Sequence, residues 1–175
     1  MLLRKHAWTT LIFLLLGPIS VAQNAPKVDV SLGYSLVKSV QGIDLTANGA
    51  TGSMAWNITN WLGAVGDFGV YSASPAGLSL TAETYTAGTR FSYRGWERFT
   101  PFAQVLFGGL HASAGLTGPT NDFGGGAGGG VDIGLDSRGR FALRPQLEYF
   151  EGRSSGNPPS TVRFSMSIVY RIGRK

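Results

Sequence analysis

His111-Ala112-Ser113 holds the two side chains on which ester chemistry can rest, an imidazole able to take a proton and a hydroxyl able to attack. In an extended strand residues two apart lie on one face, so His111 and Ser113 could meet. The chain has only two histidines, the other being His6, and no Asp or Glu stands beside this triplet to orient the ring. A second stretch, "GGGAGGG" at Gly124 to Gly130, could bring backbone amides to a phosphate, but only if a helix amino terminus came after it. The residues after it are instead "VDIGLD", which alternate as a strand does, so the glycines read as part of a tightly curved sheet. With no cysteine there is neither a disulfide nor a thiolate metal site. Asn57-Ile58-Thr59 matches a glycosylation sequon inside a predicted strand, where chance accounts for it. These residues predict no catalytic, cofactor-binding or metal-binding group, and no enzyme.

The remaining candidates are ionic, and their placement depends on the elements that carry them. In "FALRPQLEYF", Phe141, Leu143, Pro145, Leu147 and Tyr149 share one parity, while Ala142, Arg144, Gln146 and Glu148 share the other. That is the period of a strand. Seven more segments alternate in the same way, and the strands are predicted at 27–38, 50–60, 62–72, 82–93, 99–111, 123–136, 140–151 and 161–173. No amphipathic helix interrupts them. Connections after the first, third, fifth and seventh are long and rich in turn residues ("SVQGIDLTANGA", "ASPAGLSLT", "ASAGLTGPTND", "GRSSGNPPS"). Those around Asn60-Trp61, "RGWER" and "SRG" are short. Short turns on one side and longer loops on the other mark an up-and-down barrel crossing an outer membrane.

The start of the chain agrees. Arg4 and Lys5 precede an apolar stretch centred on Leu11 to Leu16, a Gly17-Pro18 break and Ser20-Val21-Ala22, the pattern of a secretory signal over residues 1–22. Its removal from the 175 residues leaves 153, residues 23–175, enough for one domain. The formal charge of +5 includes Arg4 and Lys5, so the exported part carries +3. These charges are scattered, without a basic stripe or aromatic platform, which excludes nucleic acid as the expected partner.

Two barrels alternate this way, a soluble one with its apolar face inward and a membrane one with it outward. The non-apolar parity decides between them. It holds the small residues Gly63, Val65, Gly69, Gly88, Gly128, Gly130 and Gly134 together with charges of both signs, which suits a crowded lumen better than a wetted surface. Outward, Val162, Phe164, Met166, Ile168, Tyr170 and Ile172 are six successive apolar positions. At ~3.3 Å each and a tilt of roughly 40° they cover about the ~25 Å apolar band of a membrane barrel. Trp61, Tyr93, Trp96, Phe99, Phe141 and Tyr170 gather at the short-turn ends as an interfacial girdle would. The expected fold is therefore all-β, an eight-stranded antiparallel up-and-down transmembrane β-barrel. Asp67, Arg90, Asp132, Arg144, Gln146, Glu148 and Arg163 are expected to form a lumenal network that plugs it, with Asp132 opposite Arg144 and Glu148 within reach of Arg163.

The ordered series "VSLGYSLV", "WLGAVGDFGVY", "TPFAQVLFGGLHASAG", "GGGVDIGL", "LRPQLEYF" and "VRFSMSIVYRIG" resembles the small outer-membrane β-barrel family related to the transmembrane domain of outer membrane protein A. The resemblance implies a structural or adhesive surface protein in the outer membrane. Its implied partners are outer-membrane lipid and lipopolysaccharide, the barrel-assembly machinery during insertion, and an extracellular-loop ligand of unknown kind. The family usually ends on Phe, whereas here Ile172 is followed by Gly173, Arg174 and Lys175. His111 and Ser113 also resemble the His-x-Ser pattern of outer-membrane lipid A deacylases, an alternative reading beside that of a narrow pore.

Overall fold

The computed structural model describes residues 25–40, 45–74, 80–114, 117–153 and 160–174, and the export segment predicted at 1–22 lies outside them. The eight alternating segments become eight strands: β1 (Pro26–Ser39), β2 (Thr46–Asn57), β3 (Leu62–Ala73), β4 (Leu80–Ser92), β5 (Phe99–Ala114), β6 (Thr117–Gly134), β7 (Phe141–Arg153) and β8 (Ser160–Arg174). Each pairs antiparallel with its neighbour, and β1 closes on β8 through pairs such as Val30↔Tyr170 and Leu36↔Phe164, so the strands of the sheet leave no open edge. Among the described residues there is no helix long and apolar enough to cross a membrane. Crossing by strands is a separate matter, because a closed barrel satisfies every backbone group within itself.

Side chains sort by parity as the alternation requires, but inside out relative to a soluble protein. Leu32 is 70 % exposed and Leu147 57 %, whereas Arg144 and Glu148 are each 2 % exposed. "FALRPQLEYF" is thus turned with its ions inward and its apolar face outward. Exposed apolar side chains run round the wall, among them Val30, Met54, Phe68, Tyr85, Phe107, Phe123, Phe164 and Ile168. A continuous apolar exterior of this extent is a surface for lipid. At the short-turn end the aromatic residues pair with one another: Trp61 stacks on Phe91 at 6.0 Å, Tyr93 meets Trp96 edge-on at 5.5 Å, and Phe141 lies against Tyr170 at 5.1 Å.

The short turns are well knit. Between β6 and β7, Leu135 N–H donates to Phe141 O at 2.9 Å, and Phe141 N–H donates to Asp136 Oδ1 at 2.8 Å. Gly139 sits there at φ 65°, the left-handed region that favours glycine. Between β2 and β3, Thr59 Oγ1 accepts from Leu62 N–H at 2.9 Å.

The outer end departs from expectation. The stretch "ASAGLTGPTND" reads as a loop, yet β5 runs to Ala114 and β6 starts at Thr117, with pairs Ala112↔Thr120 and Ala114↔Thr117 either side of a bulge. Likewise β2 starts at Thr46, before the expected residue 50, where Leu36↔Asn48 and Lys38↔Thr46 extend the ladder. In both places a neighbouring strand offers unpaired N–H and C=O groups, and meeting that demand outweighs the weak strand preference of Gly, Asn and Pro.

Candidate functional site

Register sets what can meet in the lumen. The pairs Gly130↔Gln146 and Ile133↔Leu143 set Asp132 across from Arg144, and Glu148 pairs directly with Arg163. Arg144 grips Asp132 with both arms of its fork, Nε to Oδ1 at 2.5 Å and Nη2 to Oδ2 at 2.9 Å. Arg171 reaches the same carboxylate at 3.3 Å. Arg163 spans the barrel: Nε donates to Glu148 Oε2 at 2.7 Å on β7, while Nη1 donates to Asp67 Oδ1 and to the Tyr71 hydroxyl, each at 2.8 Å, on β3. Arg90 donates from Nε to Gln104 Oε1 at 2.8 Å, and Gln104 Nε2 donates to Glu148 Oε1 at 2.6 Å. One chain of bonds therefore runs from β4 through β5 and β7 to β8 and across to β3.

Six of the seven residues singled out in the sequence belong to these contacts. Gln146 is buried on the same parity without a hydrogen bond to the cluster. Five participants were not singled out in the sequence: Arg171, which faces inward on β8, and four that carry no charge. Gln104 and Tyr71 are the neutral links. Phe102 offers its ring to Arg90 at 4.5 Å and to Arg144 at 4.9 Å, and Phe150 lies 4.9 Å from Arg163. Their signal was inward parity next to outward-facing Val70, Ala103, Val105 and Tyr149. The glycines of β6 clear the space: a Cβ on Gly130 would press on Phe102 Cζ at 3.0 Å, and one on Gly128 would strike the Glu148 side chain.

A second polar cluster closes the short-turn end. Arg94, from the β4–β5 turn, folds back so that Nε donates to Asn60 O and Nη2 to Asn57 Oδ1, both at 3.0 Å, with Asp29 at 3.8 Å. Asn57 Nδ2 in turn donates to Asp29 Oδ2 at 3.1 Å and to Pro26 O at 3.0 Å. On the short-turn side of Arg163, Ser35 bonds to both Thr51 and Ser165, tying β1 to its two neighbours. Outside the membrane-spanning strands, the Phe141 N–H holds the Asp136 carboxyl below its ordinary range.

Above the Arg163 layer the lumen changes character, opening into a cavity of about 330 Å³ at the outer end with largely apolar walls. His111 stands apart from all of this on the outer face of β5. Its Nδ1 bonds Asn121 Oδ1 at 2.7 Å, and its cross-strand neighbours are Glu83 and Asn121, while Ser113 pairs across to Thr81. The imidazole is engaged with an amide and makes no hydrogen bond with Ser113. Among the described residues no group of three His, Cys, Asp or Glu could hold a metal ion.

No protein-family model matches the chain, and no curated protein matches it. Solved structures do. Neisserial surface protein A is 14 % identical and covers 86 % of this chain and 100 % of its own, with a TM-score of 0.72. Ail, the attachment invasion locus protein of Yersinia pestis, is 15 % identical over 85 % of this chain and 99 % of its own, with a TM-score of 0.59. The outer membrane protein OprG from Pseudomonas aeruginosa is 9 % identical over 86 % and 98 %, with a TM-score of 0.57. At these identities the likeness is one of fold, that of the small eight-stranded outer-membrane barrels.

Proposed function

We propose that this chain is a non-enzymatic surface protein of the bacterial outer membrane, exported by residues 1–22. Its barrel serves as a plugged anchor, and its outer connections make contact with ligands outside the cell. The observation that carries the reading is the lumen's own packing. Arg90, Gln104, Leu106, Arg144 and Glu148 are all but inaccessible to water, which an open channel along the axis would not allow. An eight-stranded barrel is just wide enough for its side chains to fill. The structural neighbours support a surface role in so far as one is called a surface protein and another an attachment protein. Lipid and lipopolysaccharide are the surroundings that the apolar wall fits, with the assembly machinery acting during insertion.

Fractionation tests the location. The protein should leave the outer-membrane fraction only in detergent, and the unheated band should migrate differently from the boiled one. A soluble periplasmic monomer would end the reading.

A further inference from the structure

On six strands the inward-facing residues change from polar to apolar toward the outer end. Along β1 the series Ser31, Ser35 gives way to Val37; on β3 Asp67 gives way to Ala73; on β4 Arg90, Thr86 and Thr84 give way to Ala82 and Leu80; and on β5 Gln104 gives way to Leu110 and Ala112. β2 passes from Ser53 and Thr51 to Ala47, and β7 from Glu148 to Phe150. Lumenal side chains that only touched water would have no reason to switch together, because apolar surface facing water is unfavourable in proportion to its area. The cavity they enclose, about 330 Å³, lies in the range of small-molecule pockets and has the apolar lining typical of them. It ends blindly on the Tyr71–Arg163 layer, below which the buried side chains fill the lumen.

We propose that this outer mouth is a binding site for a small uncharged apolar molecule, one the size of a six- to ten-carbon alcohol or a single ring. Size follows from the volume. Charge follows from the lining: the Arg163 guanidinium is already paired with Glu148 and Asp67, the wall carboxylates Asp122, level with Leu110, and Glu151 disfavour an anion, and the apolar remainder offers a cation little to replace its hydration shell. The site binds and does not transport, since nothing continues from it through the lumen. The proposal rests on the closed lumen, but the two fail separately: a steady ion current would end the plug, whereas absence of binding would leave it standing.

The test uses the full barrel in lipid nanodiscs, with 1-hexanol as probe and methyl resonances of Ala82, Ala112 and Leu110 as readout, corrected against empty discs. Hexanol should shift these methyls saturably, while hexanoate and hexylammonium at the same concentration should bind at least tenfold more weakly. Ala82→Phe with Ala112→Phe, or Leu110→Trp where the double variant does not close, should fill the space and cost tenfold or more in apparent affinity. Lipid-facing Ala103→Phe should leave binding unchanged. Three outcomes overturn the proposal: no saturable shift, hexanoate binding as well as hexanol, or cross-peaks from bilayer acyl chains to the three methyls, which would make a lipid tail the occupant.

Discussion

Replacing Arg144 by leucine should lower folding stability in a urea titration by ~3–5 kcal/mol, because it strands the Asp132 carboxylate away from water with only Arg171 at 3.3 Å to answer it. Arg140→Gln, an exposed change in the neighbouring turn, should cost well under 1 kcal/mol. Equal effects would mean that the lumen is wet enough to solvate either charge. The converse holds at His111, where Ala should leave the acylation pattern of outer-membrane lipid unchanged. Its Nδ1 is occupied by Asn121, and no carboxylate contact makes it a base. A lipid species that appears only with intact His111 and Ser113 would make the chain an enzyme. At this scale the sequence disclosed most of the charges, Arg171 and the Arg94–Asp29 pair excepted, and hid their neutral partners. Asp132–Arg144 and Glu148–Arg163 were legible because opposite charges on one parity of adjacent strands must meet. Gln104 and Tyr71 were not, since only a register that brings β5 and β3 to the same height as Glu148 and Arg163 makes an amide and a phenol into links.

At the scale of the element, parity was the strongest signal and the ends of strands the weakest. β7 and β8 keep a strict alternation through the apolar band, so their facing could be read directly. Ile168→Arg, 48 % exposed on β8, should accordingly cost ~2–4 kcal/mol near the midplane, whereas Ser167→Ala beside it, facing inward, should cost far less. β6 shows where the signal failed. Thr117 to Asp122 contains Gly118 and Pro119, residues that propensity assigns to a turn, and only pairing with β5 makes a strand of it. The β6–β7 turn carries its own chemistry. Gly139→Ala should cost about 1 kcal/mol for the left-handed backbone. Asp136, whose carboxyl the Phe141 N–H holds below its unfolded value of about 3.9, contributes stability that is present above that value. The contribution is lost as pH falls through the lower folded value. Asp136→Asn should therefore flatten the acid limb of a stability–pH curve and leave the neutral plateau unchanged in slope; an unaltered limb would show that the hydrogen bond does not persist in the membrane.

For the whole molecule, closure is built in layers and so should be separable from the stability of any one of them. Arg163 ties β8 to β7 and, across the lumen, to β3. Below it lie Arg90 and Arg144 on the two sides of the barrel, sharing the Phe102 ring, and below these Arg94 bonds with Asn57 beside Asp29. An ion entering from outside first meets apolar walls that offer nothing to replace its hydration shell, then these packed layers in turn. Removing Arg163 leaves Asp67 and Glu148 facing each other uncompensated, which should cost ~3–5 kcal/mol in folding stability. It leaves the two lower layers in place. In planar bilayers, then, neither the unmutated protein nor Arg163→Ala should pass a sustained current, although the variant should unfold at clearly lower urea. A steady current through the unmutated protein would show that the lumen is an ion path. A current that appears only in Arg163→Ala would assign closure to a single layer, and the lower arginines would then serve stability without sealing.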